Sequence, residues 1–275
     1  MPPRMPFDIR DFETLMALDD EGGDVFVGRS PAYPWGRVYG GQVVAQALRA
    51  ASNTVPADRF VHSLHAYFIR GGDSDLPIRH AVERVRDGGS FSLRSVVASQ
   101  SSATMMHLTA SFQVDETGIE ADVQEGVLPA GLPEPEALED VSWGPILERR
   151  RIAMKDARAA YWMRIRGMRT LDPAMQACAL AFASDDVPTE AANQSHPLRS
   201  TFDDTSSAYD AVFLGASLDH AIWFHRRGRH DEWVLHDFQG SGISGARGLG
   251  VGRVFSRDGV HLATIAQEIL IRKRR

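Results

Sequence analysis

The sequence predicts an α+β protein made of two copies of one unit, each a helix packed on one face of an antiparallel sheet. Three observations carry this. An Ala- and Gly-rich helical stretch in the first half is followed by four strand candidates separated by turn clusters. A helix and a run of strands return in the same order in the second half. Between the two lies an acidic segment bearing Pro and Gly, with no sustained periodicity, which reads as a linker. The expected division is a first unit over 1–115, a linker over 116–142 and a second unit over 143–275.

Residues 8–18, DIRDFETLMAL, put Phe12, Leu15 and Met16 at helical spacing, and Gly22–Gly23 ends the pattern. A short strand VFV (25–27) precedes a loop rich in Pro, Tyr, Trp and Gly. In YGGQVVAQALRAAS, Val43, Val44, Ala47 and Leu48 form one apolar stripe, and the remaining small residues allow close approach to a sheet. Strand candidates follow at 60–70, 76–86, 90–99 and 104–114, with GGDSD, DGG and QSSA as the turns between them. The stretch 143–167 reads either as a helix or as the first strand of the second unit. A helix starting at Pro173 then puts Met175, Cys178, Ala179 and Phe182 on one face, which Asp185 extends. Residues 189–210 read as a polar loop. The last strands fall at 216–227, 231–240, 246–256 and 260–272, with Arg257-Asp258-Gly259 as a tight turn.

Composition narrows the function classes. A net charge of −6, a pI near 5.9 and dispersed basic residues argue against a nucleic-acid partner. The basic runs Arg149–Arg151 and Arg272–Arg275 read as solvated ends. A single cysteine, Cys178, rules out an intrachain disulfide and a cysteine-based zinc site. The opening residues lack a signal-peptide core, and no run reaches the ~18 apolar residues of a membrane span. A soluble, cytoplasmic protein is the expectation.

An offset of 154 aligns Ser63 with Ser217, HLTASFQ (107–113) with HLATIAQ (261–267), and Gln113 with Gln267. The common order of these matches supports duplication.

His62 and His65 are three apart in a strand and so point to opposite faces, as do His220 and His225. No metal site is expected. Gly242-Ile-Ser244-Gly-Ala fails the last position of a serine nucleophile elbow. Gly248-Leu-Gly250-Val-Gly252 lacks the last glycine of a dinucleotide fingerprint and reads as a bent strand. What remains is a set of polar residues on apolar faces. Gln267 alternates with Ala263, Ile265 and Ile269, Ser217 shares a face with Asp219 and Ala221, and Asp185 ends an apolar helical face where the helix dipole should raise its pKa. The plainer alternatives are a solvated Asp185, a Gln267 reaching a sheet edge and a Ser217 that caps a strand.

GGQVVAQAL (40–48), VHSLHAYFIRGGD (61–73), RDGGSFSLR (86–94), TASFQ (109–113), SLDHAIWFHR (217–226), SGARGL (244–249) and AQEILIR (266–272) resemble the type II acyl-CoA thioesterases. The similarity covers nearly the whole chain and is weakest in the linker and over 186–210. It implies two fused hotdog units, each a long helix wrapped by an antiparallel sheet. It also implies that an Asp, a hydroxyl residue and a Gln of the second unit order the hydrolytic water, at Asp185, Ser217 and Gln267. The family's hydroxyl residue is Thr, and a Ser rotor is less restrained. HRRGRH (225–230) departs from the family's usual His-Arg-Pro. The corresponding first-unit positions, near Gly40–Gln42, Ser63 and Gln113, lack a carboxylate, so that unit is expected to support the pocket rather than to react.

These residues imply hydrolysis of acyl-CoA by direct attack of water, without a cofactor, since CoA is part of the substrate. Asp185 would act as general base, with Gln267 or a backbone N–H meeting the oxyanion. Two other classes stay open: an acyl-CoA-binding protein without turnover, and a hotdog hydratase, whose DxNPxH-like motif is absent. A homodimer or larger homo-oligomer is expected.

Overall fold

The computed structural model describes residues 8–116, 122–124, 126–153, 156–198 and 212–274. The first half runs α1 (Phe12–Leu15), β1 (Asp19–Gly22), β2 (Val25–Gly28), α2 (Gly40–Ser52), β3 (Arg59–Phe68), β4 (Ile78–Asp87), β5 (Phe91–Gln100) and β6 (Ala103–Val114). The second runs β7 (Leu147–Ile152), β8 (Arg158–Ile165), α3 (Pro173–Ser184), α4 (Val187–Gln194), β9 (Phe213–Ser217), β10 (Asp219–Phe224), β11 (Val234–Ser244), β12 (Arg247–Ser256) and β13 (His261–Lys273).

The described strands form one antiparallel sheet in the order β1-β2-β4-β5-β6-β3-β10-β13-β12-β11-β8-β7, with β9 added beside β13. Outward from the centre, β3-β6-β5-β4-β2-β1 is mirrored by β10-β13-β12-β11-β8-β7. The duplication is therefore real at the level of strand order, and the α+β double-hotdog fold follows from it. The seam between the halves is β3–β10, where Leu64 faces Ile222 and Ala66 faces His220.

The helices lie inside this curved sheet, against each other. Residues Gly41 to Leu48 of α2 and Cys178 to Ser184 of α3 are all buried. Small side chains make this possible: a Cβ on Gly41 would stand 2.3 Å from the carbonyl oxygen of Phe182. Two buried glutamines hold α2 to its surroundings. Gln42 Oε1 accepts from Ser30 Oγ (3.0 Å) and the Tyr33 hydroxyl (2.7 Å), and Gln46 Nε2 donates to the Leu15 and Arg29 carbonyls (2.9 and 3.0 Å). At its other end, fully buried Arg94 donates to Thr54 Oγ1, the Thr54 carbonyl and Asp87. The QVVAQAL part of the first stretch and RDGGSFSLR are thus largely structural.

Several readings change. The ambiguous 143–167 is a hairpin, β7–β8, equivalent to β1–β2. Its periodicity is masked because both faces of β8 are covered: Ala159, Tyr161 and Met163 face the main core, while Ala160 and Trp162 pack with Leu128, Leu132 and Leu138 of the linker. The linker is therefore attached to the second half, further held by Trp162 Nε1 donating to the Pro133 carbonyl (3.0 Å). Within the polar loop expected at 189–210, residues up to Gln194 belong to α4, and residues 199–210 lie outside the described set.

The glycines of β11 and β12 are a platform for α4, more than a bend. A Cβ on Gly240 would meet the Ala191 carbonyl oxygen at 2.3 Å, and one on Gly250 the Pro188 carbonyl oxygen at 2.6 Å. Finally, the 154-residue offset fails in register. Gln113 lies on the outer face of β6, alternating with buried Met106, Leu108, Ala110 and Phe112, whereas Gln267 lies on the inner face of β13 with Ile265 and Ile269. Strand bulges shift the two halves by different amounts, so short matches in sequence do not superpose in the sheet. One such bulge, at His62, puts His62 and His65 on the same outer face, where His62 bonds Ser111 (2.7 Å) and the His65 ring packs against Trp223.

Gly250→Ala should lower the unfolding free energy by about 1–3 kcal/mol, because helix backbone has to move, while Leu249→Ala at the exposed neighbour should change it by less than about 0.5. Urea denaturation of the two variants beside the wild type measures both.

Candidate active site

The antiparallel packing of α2 and α3 brings the N-terminus of the first helix onto the C-terminus of the second. Asp185 caps α3 and is 6% exposed. It meets the first turn of α2: the Gly41 N–H bonds its carboxyl group, and a Cβ on Gly40 would stand 2.6 Å from Oδ2. No side chain fits between that helix and this carboxylate. Tyr39 seals the contact by donating its hydroxyl to the Phe182 carbonyl (2.9 Å), and its ring packs edge-on to Phe182 and Trp143.

Ser217 arrives from the sheet through a bulge. Ala221 to Phe224 and Phe213 to Ser217 both pair with β13, but the register slips by one residue between them, at Leu218. Leu218 pairs sideways, its carbonyl accepting from Phe68 N–H and its N–H donating to Glu268 (both 2.9 Å). Asp219 fills the gap in the ladder, Oδ1 accepting the Glu268 N–H (2.7 Å). The slip turns Ser217 away from the face of Asp219 and Ala221, where alternation puts it, and toward the helices, on the side of buried His220 and Ile222.

The three residues singled out in the sequence then form a closed triangle. Ser217 Oγ donates to Asp185 Oδ1 (3.0 Å), and Gln267 Nε2 donates to Asp185 Oδ1 (2.9 Å) and to Ser217 Oγ (2.7 Å). Both amide hydrogens of Gln267 are committed here, which removes it as an oxyanion donor in this arrangement.

His220, which the sequence suggests only as a candidate metal ligand, sets the orientation of that amide. Its Nδ1 lies 2.5 Å from Gln267 Oε1 and its Nε2 2.7 Å from Ser184 Oγ. A carbonyl oxygen only accepts, so Nδ1 carries the proton. Burial lowers the pKa of His220 to about 4, leaving a neutral ring whose bare Nε2 accepts from Ser184. A flipped amide would set its NH₂ group against Nδ1–H and its oxygen against the carboxylate.

Asp185 is raised to about 7, chiefly by burial. Its hydrogen bonds from Ser217, Gln267 and Gly41 oppose the shift, and neighbouring Asp186 adds to it. Desolvation, more than the helix dipole, is the physical cause, and the solvated alternative is excluded. Asp186 is also raised by burial, against the pull of Arg149 at 2.7 Å, and accepts from Trp143 Nε1 (3.0 Å).

Asp185 and Ser217 line a cavity of about 970 Å³, bounded by Tyr39, Gly40, Val43 and Phe68 from the first half. Its other wall, from β7, β8 and α4, carries the ion pairs Arg149–Asp186 and Arg151–Glu190 (2.7 and 3.0 Å). Gln267 lies behind this surface, fully buried.

Comparison with known proteins agrees along the whole chain. The profile of the acyl-CoA thioesterase N-terminal domain matches residues 29–113, and that of the C-terminal domain matches residues 121–271. Acyl-CoA thioesterase 2 of Haemophilus influenzae is 36% identical over 94% of this chain and 96% of its own. The chain belongs to the type II acyl-CoA thioesterase family. Acyl-coenzyme A thioesterase 8 of Homo sapiens is 34% identical over 94% of this chain and 88% of its own. The crystal structure of an acyl-CoA thioesterase II from Mycobacterium marinum superposes with a TM-score of 0.81 at 33% identity, covering 96% of this chain and 98% of that one.

The thioesterase fold has a second helix-end junction, where α3 begins and α2 ends, beside a cavity of about 690 Å³. Its residues show why the two ends differ. AASNTVP (50–56) and FASDDVP (182–188) follow the two helices in matching positions, so Asn53 stands where the other end has Asp185. Asp172-Pro173 likewise stands where the other end has Gly40-Gly41. Proline has no N–H to offer, and the Asp172 carboxylate already caps α3 through Ala174 N–H (3.2 Å).

Two outcomes are expected. Nitrogen-15 spectra should show neutral His220 protonated on Nδ1 across pH 5–8; an Nε2–H tautomer would refute the amide orientation. The second concerns pH. Folded Asp185 keeps its proton up to about 7, whereas the unfolded group releases it near 3.8. The folded state thus binds more protons between these values, and its stability falls as pH rises through them. Asp185→Asn should therefore be more stable than wild type at pH 8, with the difference shrinking toward pH 4, in urea titrations at both pH values.

Proposed function

We propose that this protein hydrolyses acyl-CoA thioesters to free acid and CoA by direct attack of water at Asp185 and Ser217. The observation that carries the reading is a buried carboxyl group with a pKa near neutrality, lining a cavity large enough for a thioester arm. A general base poised near the working pH combines a large ionised fraction with useful basicity.

In this reading the water lies between Asp185 and Ser217, and Asp185 takes its proton as the oxygen adds to the carbonyl carbon. The C–S bond then breaks, and the CoA sulfur leaves as a thiol with the proton returned by Asp185. Gln267, locked by His220, holds Asp185 and Ser217 in place and touches no reacting atom. The oxyanion falls to the first turn of α2. Gly40, at the first helical position, has an N–H with no intrahelical acceptor and lines the cavity.

Hydrolysis here draws on no cofactor, and the reacting carboxylate belongs to the unit beginning at residue 143, with Gly40 and Gly41 of the first unit beside it. The first unit thereby has a larger part than support. A cytoplasmic setting and a symmetric dimer remain part of the reading, and sedimentation equilibrium tests the dimer. Among the described residues no helix is long and apolar enough to cross a membrane.

Release of free CoA from a panel of acyl-CoAs is the test. Wild type should turn over at least one chain length, with kcat/KM rising through a pKa near 7. Asp185→Asn should lose about 10²–10⁴-fold in kcat. Unchanged release by that variant would remove Asp185 as the base. A trapped acyl-enzyme in the wild type would contradict direct attack by water, and tight acyl-CoA binding without release would favour a binding protein.

A further inference from the structure

We propose that Arg37 and Arg70 form the docking point for the phosphate groups of the CoA nucleotide, at the rim of the cavity that holds Asp185. The inference rests on the acyl-CoA reading of that cavity and names the part of the substrate that reading leaves unplaced.

Four arginines line the cavity: Arg37, Arg70, Arg149 and Arg151. Two are committed. Arg149 pairs with Asp186 at 2.7 Å and lies over the Tyr161 ring, and Arg151 pairs with Glu190 at 3.0 Å. An anion arriving there would have to displace a carboxylate from each. The other two are exposed, and among the described residues neither is paired with an acid as Arg149 and Arg151 are. The Arg37 side chain makes one long contact, Nη2 to the Gly215 carbonyl at 3.4 Å. In a chain with a net charge of −6, two unneutralised guanidinium groups at one cavity mouth form a local exception to the overall field.

Their place in the fold suits the ligand. Arg37 lies three residues before Gly40, in the loop that delivers α2 to Asp185. Arg70 lies two residues beyond Phe68, whose N–H bonds Leu218 next to Ser217 and whose ring touches the space above Gly40. The Cδ of Arg37 comes within 3.8 Å of a Cβ built on Gly71, so the two arginine-bearing segments adjoin. A thioester carbonyl at Asp185 and Ser217 leaves the pantetheine arm running outward between them. The diphosphate and the ribose phosphate at the end of that arm would then meet two planar donors free to bind phosphate in a forked geometry.

The test compares one acyl group on CoA and on pantetheine, which has the same thioester and arm but no nucleotide. The enzymes are the wild type, Arg37→Glu, Arg70→Glu and the double variant, all as full chains. Wild type should prefer the CoA thioester, and the ratio of kcat/KM values for CoA over pantetheine should fall at least about tenfold in the double variant. The loss should lie in KM for the CoA substrate, and the wild-type preference should weaken as salt is raised. Both side chains are exposed, and urea denaturation checks that the variants fold. A ratio unchanged in a folded double variant, or a wild type indifferent to the nucleotide, overturns the proposal. If the wild type releases no CoA from any thioester, the hydrolase reading fails on its own. Calorimetric binding of free CoA then decides this proposal, with binding lost in the double variant supporting it and equal binding refuting it.

Discussion

The close contact between the start of α2 and the end of α3 is the constraint on which the rest depends. Gly41 lets the helix backbone reach the Phe182 carbonyl, and Gly40 lets it reach the Asp185 carboxyl group. That contact removes water from Asp185, and burial is what lifts its pKa toward neutrality. Without it the acid would be an ordinary surface carboxylate, ionised but weakly basic. The sheet supplies the remaining partners only because the halves close around the same helix pair. Ser217, Gln267 and His220 all come from strands of the second half, and the helix end they face comes from the first.

Duplication creates two such helix-end junctions, and the residues at them have diverged in chemically consistent ways. One end has Gly-Gly at the helix start and a carboxylate at the facing helix end. The other has Asp-Pro and Asn53 in those positions. Each change alone would weaken a base assisted by a backbone donor; together they remove both halves of that arrangement. The first half is thus less a passive support than a donor of the helix start at which the second half's acid sits.

The succession of helices and strands along the chain and most element limits were legible in the sequence, because half-buried strands alternate and their turns carry Gly, Asp and Ser; the order of strands within the sheet was not. The exceptions have specific causes. Strand β8 is covered on both faces, so AAYWM shows no alternation. Helix α4 presents Thr189, Glu190 and Asn193 to a cavity, so its polarity imitates a loop. Alternation puts Ser217 on the wrong face because the Leu218 bulge reverses its direction. The grouping of Asp185, Ser217 and Gln267 came from family resemblance; spacing alone only marked each as out of place. The roles of Gly41 and His220 were not legible, since each depends on a partner brought close by the helix packing or the strand bulge.

The continuity of the sheet across β3 and β10 has a consequence for how the chain can be divided. Each half contributes a central strand whose edge groups are satisfied only by the other. Leu64, Ala66 and Ile222 are also buried at that seam. A first half made alone would carry β3 as a ten-residue open edge beside an uncovered α2. Such an edge invites pairing with another chain. The two repeats are therefore parts of one continuous sheet, each supplying the pairing that the other's central strand lacks.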